Sequence, residues 1–151
     1  TANRSRMMWF DKQDQRCLFG DARAETHLLK DRQYLRHLEI RPDVQLDFTA
    51  LPFPDGQFKL VVLDPPHLVH AGRKSWLAKK YGTLGKDWCE DLRLAFAECF
   101  RVLADGGVLI FKWSEDQIST ADVLKLLPVR PLFGNRRGKT IWMVFMKFPE
   151  E

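Results

Sequence analysis

Phe58-Lys59-Leu60-Val61-Val62-Leu63-Asp64-Pro65-Pro66-His67 is the stretch that decides the fold of this chain. Its first six residues are nearly all apolar, with a valine pair at the centre. Such a short run, without strict alternation, is what a strand covered on both faces of a parallel sheet requires. The run stops at an acid and two prolines. A proline nitrogen has no hydrogen to give to a ladder, so the strand cannot continue. In open α/β sheets ligands sit at the carboxyl ends of the strands, which is where Asp64 falls.

Working outward from this strand, Pro52, Pro54, Asp55 and Gly56 form a turn cluster before it. Earlier, Arg16 to Gly20 reads as a strand that delivers Asp21. Ala22 to Lys30 reads equally as helix or hairpin. Leu38-Glu39-Ile40 reads as a short strand ended by Pro42, and Val44-Gln45-Leu46 as one that delivers Asp47. On the other side, His67 to Asp87 is a loop of a length that is usually functional or mobile. Trp88 to Ala104 is the clearest helix, with Leu92, Phe96, Cys99 and Leu103 near one face and Gly106-Gly107 as its stop. Val108 to Trp113 is a second buried strand. Ile118 to Leu127 reads as a helix ended by Pro128. Val129–Phe133 and Thr140–Phe148 read as an antiparallel hairpin joined by the Gly134 to Gly138 loop. This order predicts an α/β sheet, mostly parallel, with an antiparallel edge.

At 151 residues and 45% hydrophobic content, one domain with a real core is expected, spanning residues 8–148. Residues 1–7 read as a poorly ordered arm or a tag remnant. The longest apolar runs, Leu60–Leu63 and Val108–Phe111, are too short for a bilayer, and no apolar leader is visible. Cys17, Cys89 and Cys99 form no CxxC pair and read as free thiols of a reducing compartment, so no membrane and a cytoplasmic location are expected. No metal is expected, because His67 and His70 have no second ligand cluster to complete a site. The net charge of +4 permits a polyanionic partner without requiring one.

Three motifs carry a family resemblance. Asp47-Phe48-Thr49-Ala50-Leu51-Pro52-Phe53-Pro54-Asp55-Gly56, running on through Gln57 into the buried strand, looks like the mid-domain signature of class I S-adenosylmethionine (SAM)-dependent methyltransferases. Arg101-Val102-Leu103-Ala104-Asp105-Gly106-Gly107 resembles their RVLxPGG turn, with Asp105 in place of proline. Asp64-Pro65-Pro66-His67 resembles the (D/N/S)-P-P-(Y/F/W/H) motif of members that methylate amines, chiefly of adenine and cytosine in DNA. The chain from about residue 8 to 148 is similar to short methyltransferase-like proteins of bacteriophage and prophage genomes. The resemblance implies a truncated Rossmann-like class I methyltransferase sheet, mostly parallel, with a C-terminal antiparallel hairpin. The family's first strand and its glycine-rich loop, which cradles the methionine part of SAM, have no counterpart. Gly20 is the only glycine before Gly56. An edge left open in this way would be covered by assembly as a homodimer or with a partner subunit.

What the resemblance implies for function is an N-methyltransferase acting on adenine N6 or cytosine N4 in DNA or RNA, with SAM as cofactor. Asp21 would accept hydrogen bonds from the ribose hydroxyls, since a carboxylate offers paired acceptors. Asp47 would accept the adenine amino group while Phe48 packs on the ring. Asp64 and the Pro65 carbonyl would accept the hydrogens of the target amine, and Pro66 stiffens the turn. His67 would stack on the target base. Trp76, Lys79, Lys80 and Tyr81 interleave bases and aromatics, as phosphate contact with base stacking requires. Arg136, Arg137 and Lys139 form a second basic tip. Each feature has a plain structural reading beside it: strand-end turns, a solvated loop and a charged hairpin. A catalytically inactive protein of the same fold that binds nucleic acid or protein is the rival from another class. An enzyme acting on a small molecule or a protein side chain is a third reading.

Overall fold

The computed structural model describes residues 6, 8–31, 33–70, 78 and 82–149. Along these residues run β1 (Gly20–Asp21), β2 (Glu25–Asp31), β3 (Tyr34–Ile40), β4 (Val44–Gln45), β5 (Phe58–Leu63), α1 (Trp88–Val102), β6 (Leu103–Ser114), α2 (Thr120–Lys125), β7 (Phe133–Arg137) and β8 (Thr140–Met146). The apolar run Phe58–Leu63 is a strand, β5, as expected, but it is not covered on both faces: only Val62 and Leu63 are buried, and Lys59 and Leu60 are exposed, because β5 lies at the end of its sheet. It starts a four-stranded sheet of order β5-β6-β8-β7. β5 and β6 are parallel, and β8 is antiparallel to both β6 and β7, so three strands run one way and β8 runs against them. β1 pairs in parallel with β4, and β2 with β3 forms an antiparallel hairpin. The fold is therefore mixed α/β, with parallel and antiparallel pairs.

The core lies between α1 and one face of this sheet. Alternation along β6 buries Leu109, Phe111 and Trp113 completely, while Ile110, Lys112 and Ser114 on the other face are half-buried. β8 repeats the pattern with Ile141, Met143 and Phe145. Against them α1 lays Leu92, Ala95, Phe96 and Cys99. Phe96 meets Phe145 edge-on, with centroids 4.9 Å apart. The one polar atom of Trp113 is satisfied, since its indole N–H donates to the Ile118 carbonyl at 3.0 Å.

Several boundaries move from where the sequence puts them. The helix stops at Val102, two residues before the expected Ala104, because Leu103 turns to extended backbone. Leu103 opens β6, and the glycines that look like a helix stop form a bulge within that strand. The register jumps from Phe58↔Leu103 to Leu60↔Val108. Gly106 has φ +73, and a Cβ on Gly107 would lie 2.7 Å from the Ala104 carbonyl oxygen. The hairpin strand is Phe133–Arg137, not Val129–Phe133, and the turn is confined to Gly138 and Lys139. Gly134 is a strand glycine of close approach, where a Cβ would meet the Trp142 carbonyl oxygen at 2.5 Å. α2 is shorter than Ile118–Leu127. Ser119 caps it by accepting the Asp122 N–H, which fixes its start.

The N-terminal part is also corrected. The strand expected from Arg16 shrinks to Gly20–Asp21, because Asp14 accepts the Arg16 N–H and fixes a turn there. The ambiguous stretch after Ala22 is a hairpin strand. It pairs Glu25 with Ile40, so β3 begins at Tyr34 rather than at Leu38.

One side-chain cluster positions the turn before β5. Arg101 on α1 donates to the carbonyls of Leu51 and Phe53 at 2.9 and 2.8 Å and to Asp55 at 2.8 Å. Glu98 accepts from Arg101 and also from the Leu51 N–H at 2.7 Å. The arginine of the helix-to-strand motif thus staples the Leu51–Gly56 turn to α1 and fixes where β5 starts.

Candidate functional site

β5 ends at Leu63, and the residues that follow it run on beside the end of β6 and the turn after it, Asp64 meeting Lys112, His67 meeting Asp116, and Val69 and His70 meeting Gln117. Pro65 and Pro66 are buried, and their ring-fixed backbone hands the chain on without free N–H groups. Leu68 is buried, and its carbonyl accepts the Leu84 N–H at 2.8 Å. Gln117, just after β6, holds the turn on three backbone groups. Its amide oxygen accepts from Val69 and His70 at 2.6 and 2.8 Å, and its NH2 donates to the His70 carbonyl at 2.8 Å.

The two candidate side chains of this segment, Asp64 and His67, each meet a charged residue of β6 or of the turn after it. Lys112 Nζ donates to Asp64 Oδ2 at 3.1 Å, with the carboxylate side chain 20% exposed. The same ammonium lies 5.6 Å from the Trp142 ring centre. His67 Nε2 is 3.3 Å from Asp116 Oδ2, with the imidazole 16% exposed. Burial works to raise the Asp116 carboxyl, but the hydrogen bond from Lys139, the His67 charge and Ser114 outweigh it and hold it below its ordinary value. Asp64 and His67 therefore lie three residues apart on the irregular segment after β5, both partly exposed, one beside Lys112 and the other beside Asp116.

The other two acids have different surroundings. Asp21 ends β1 but is only 4% exposed. Its Oδ1 accepts the Arg23 N–H at 3.0 Å and lies 3.7 Å from the Arg23 guanidinium. Asp47 follows β4, and its Oδ1 accepts from the N–H and hydroxyl of Thr49 at 2.8 and 2.7 Å. It stands near the start of α1, where burial and then the charges of Asp87, Asp47 and Glu90 push the Asp91 carboxyl up. Phe48 is partly buried against the main core.

Trp76, Lys79, Lys80 and Tyr81 lie outside the described residues. The second basic tip is divided. Arg136 pairs with Glu115, whose carboxyl is held at about 2 by Arg136 and by Thr120. Lys139 pairs with Asp116 at 3.2 Å. Arg137 makes no ion pair among the described residues.

Sequence reasoning missed Lys112, Asp116 and Gln117. Lys112 had a signal, as the one charge inside the apolar run Val108–Trp113. Asp116 and Gln117 look like any polar turn, and only the course of residues 64–70 beside them gives them a role. Comparison with protein-family models found no match, and comparison with curated proteins found none.

Proposed function

We propose that the chain is a SAM-dependent N-methyltransferase acting on the exocyclic amine of a nucleobase in DNA or RNA. The observation that carries the reading is the Asp64-Pro65-Pro66-His67 segment. It directly follows the parallel strand β5, with its acid and its imidazole both partly exposed at the carboxyl end. The lone pair of a base amine is delocalised into the ring, which makes it a poor nucleophile. Asp64 and the Pro65 carbonyl accept its hydrogens and favour a tetrahedral nitrogen, while His67 offers a ring for the base to stack on.

SAM would supply an electrophilic methyl group, and the residues present fit it at one end only. Asp47 and Phe48 suit an adenine, with an acceptor at a strand end and an aromatic face beside it. Asp21 does not suit the ribose, because its buried carboxylate is turned into its own loop toward Arg23. A second reading, an inactive protein of this fold that binds nucleic acid or protein, draws on the same geometry. Asp64 and His67 are each already engaged by Lys112 and Asp116.

Calorimetry with SAM and S-adenosylhomocysteine, followed by methyl transfer to single-stranded oligonucleotides, separates the two. The enzyme reading expects binding, and transfer that Asp64→Ala abolishes while leaving cofactor affinity nearly intact. Asp64→Asn is expected to be milder, since an amide oxygen still accepts, and His67→Phe milder than His67→Ala. No binding of either ligand at millimolar concentration ends the enzyme reading.

A further inference from the structure

β5 borders an apolar cleft and, among the described residues, pairs with β6 alone, so its other edge has no strand beside it. The cleft has a volume of about 210 Å3 and takes in Leu18 and Gly20 at β1, Leu46 after β4, and Phe58, Leu60 and Val62 of β5. Arg16 is the only charged residue on its wall.

Two features say what kind of group belongs there. Leu60 sits mid-strand, in a strand whose Val62 and Leu63 are buried, yet it is 52% exposed. The edge of β5 carries backbone N–H and C=O groups that no described residue bonds. A compact apolar ligand would cover Leu60 but leave the backbone edge unbonded. A helix has no spare main-chain groups to offer. An extended strand meets both demands, with carbonyls and amides at the ~4.8 Å ladder spacing and alternate side chains turned into the cleft.

We propose that this cleft is a strand-acceptor site. An extended, mainly apolar segment of a second polypeptide pairs main chain to main chain with the free edge of β5 and packs alternate side chains on Leu18, Leu46 and Leu60. The inference stands on the sheet edge and is independent of the chemistry at Asp64.

The test uses the whole chain and a capped peptide of six alternating valines and threonines, flanked by glutamates for solubility. Hydrogen exchange, resolved by residue, is followed on the β5 amides that β6 does not bond. These should exchange freely in the chain alone and slow by about tenfold or more in millimolar peptide. Leu60→Lys, at a position already half in solvent, should fold normally and weaken peptide binding about tenfold or more. A peptide N-methylated at alternate residues should not bind, because its donors on one edge are gone. Equal binding of the methylated peptide would reduce the site to apolar adsorption, and absence of protection at millimolar peptide would remove it. Protection of the same amides in the chain alone, as monomer or as dimer, would mean that the edge is already covered. Each of these results overturns the proposal.

Discussion

Lys112 occupies a strand in which every second side chain is buried, and it lies on the face away from the core. That parity is what lets an ammonium reach Asp64 from the neighbouring strand. Parity also separates the cysteines. Cys99 faces inward on α1, and burial pushes its thiol up to about 12, whereas Cys89 at the start of the same helix is exposed. Thiolate is the reactive form. Alkylation with iodoacetamide near pH 8 should therefore modify Cys89 first and leave Cys99 untouched until the chain is unfolded, as peptide mass analysis would show. Modification of Cys99 at the rate of Cys89 under native conditions would contradict the inward placement. Asp64 and His67 were legible as a pair, because two prolines after an apolar run leave a short chain few ways to turn. Asp116 was not, because its meeting with His67 depends on how β5 and β6 lie side by side.

At the scale of elements, β7 is the strand that the sequence places poorly. Two glycines four positions apart look like the ends of a loop, yet Gly134 lies in the ladder and only Gly138 turns. Gly134→Ala should disrupt β7–β8 pairing, since the new methyl would meet the Trp142 carbonyl oxygen rather than a movable side chain. Loss of amide protection confined to Phe133–Arg137 and its β8 partners is the expected sign. The hairpin is also tied to the turn after β6 by Glu115 and Arg136. The Glu115 carboxyl titrates at about 2 when folded, against an ordinary 4.5. A depressed folded value means the stabilisation is complete above the unfolded value and is lost as the pH falls through the folded one. Glu115→Gln should thus be less stable than the parent at neutral pH, and the gap in urea midpoints should close between about pH 4.5 and pH 2. If the tip also meets a nucleic-acid backbone, Arg137→Gln should flatten the salt dependence of oligonucleotide binding by about one unit of slope. Arg136, held by Glu115, should matter less.

For the molecule as a whole, stability resides in the layer between α1 and the four-stranded sheet, and the strand edges are where it is incomplete. Phe145 is fully buried against Phe96. Phe145→Ala should cost about 3–5 kcal/mol, a large part of the 5–15 kcal/mol typical of a domain. Denaturant unfolding would measure this loss. A change below about 1 kcal/mol would mean that the core is centred elsewhere.

The sequence by itself determined the local elements with strong patterns. β5, α1 and the buried part of β6 are spelled out by apolar runs and helical spacing, and the end of β5 before Asp-Pro-Pro-His by the prolines' missing N–H. It also determined that the last two strands pair antiparallel, since the chain between them is too short for a crossover. The tertiary structure alone decided the rest. It made a bulge of Gly106-Gly107, because β6 must stay in register with β5 on both sides of them. It gave Asp64 its lysine and His67 its aspartate. Those are contacts between residues far apart in the chain, and their formation depends on strand order and register, which no local pattern encodes.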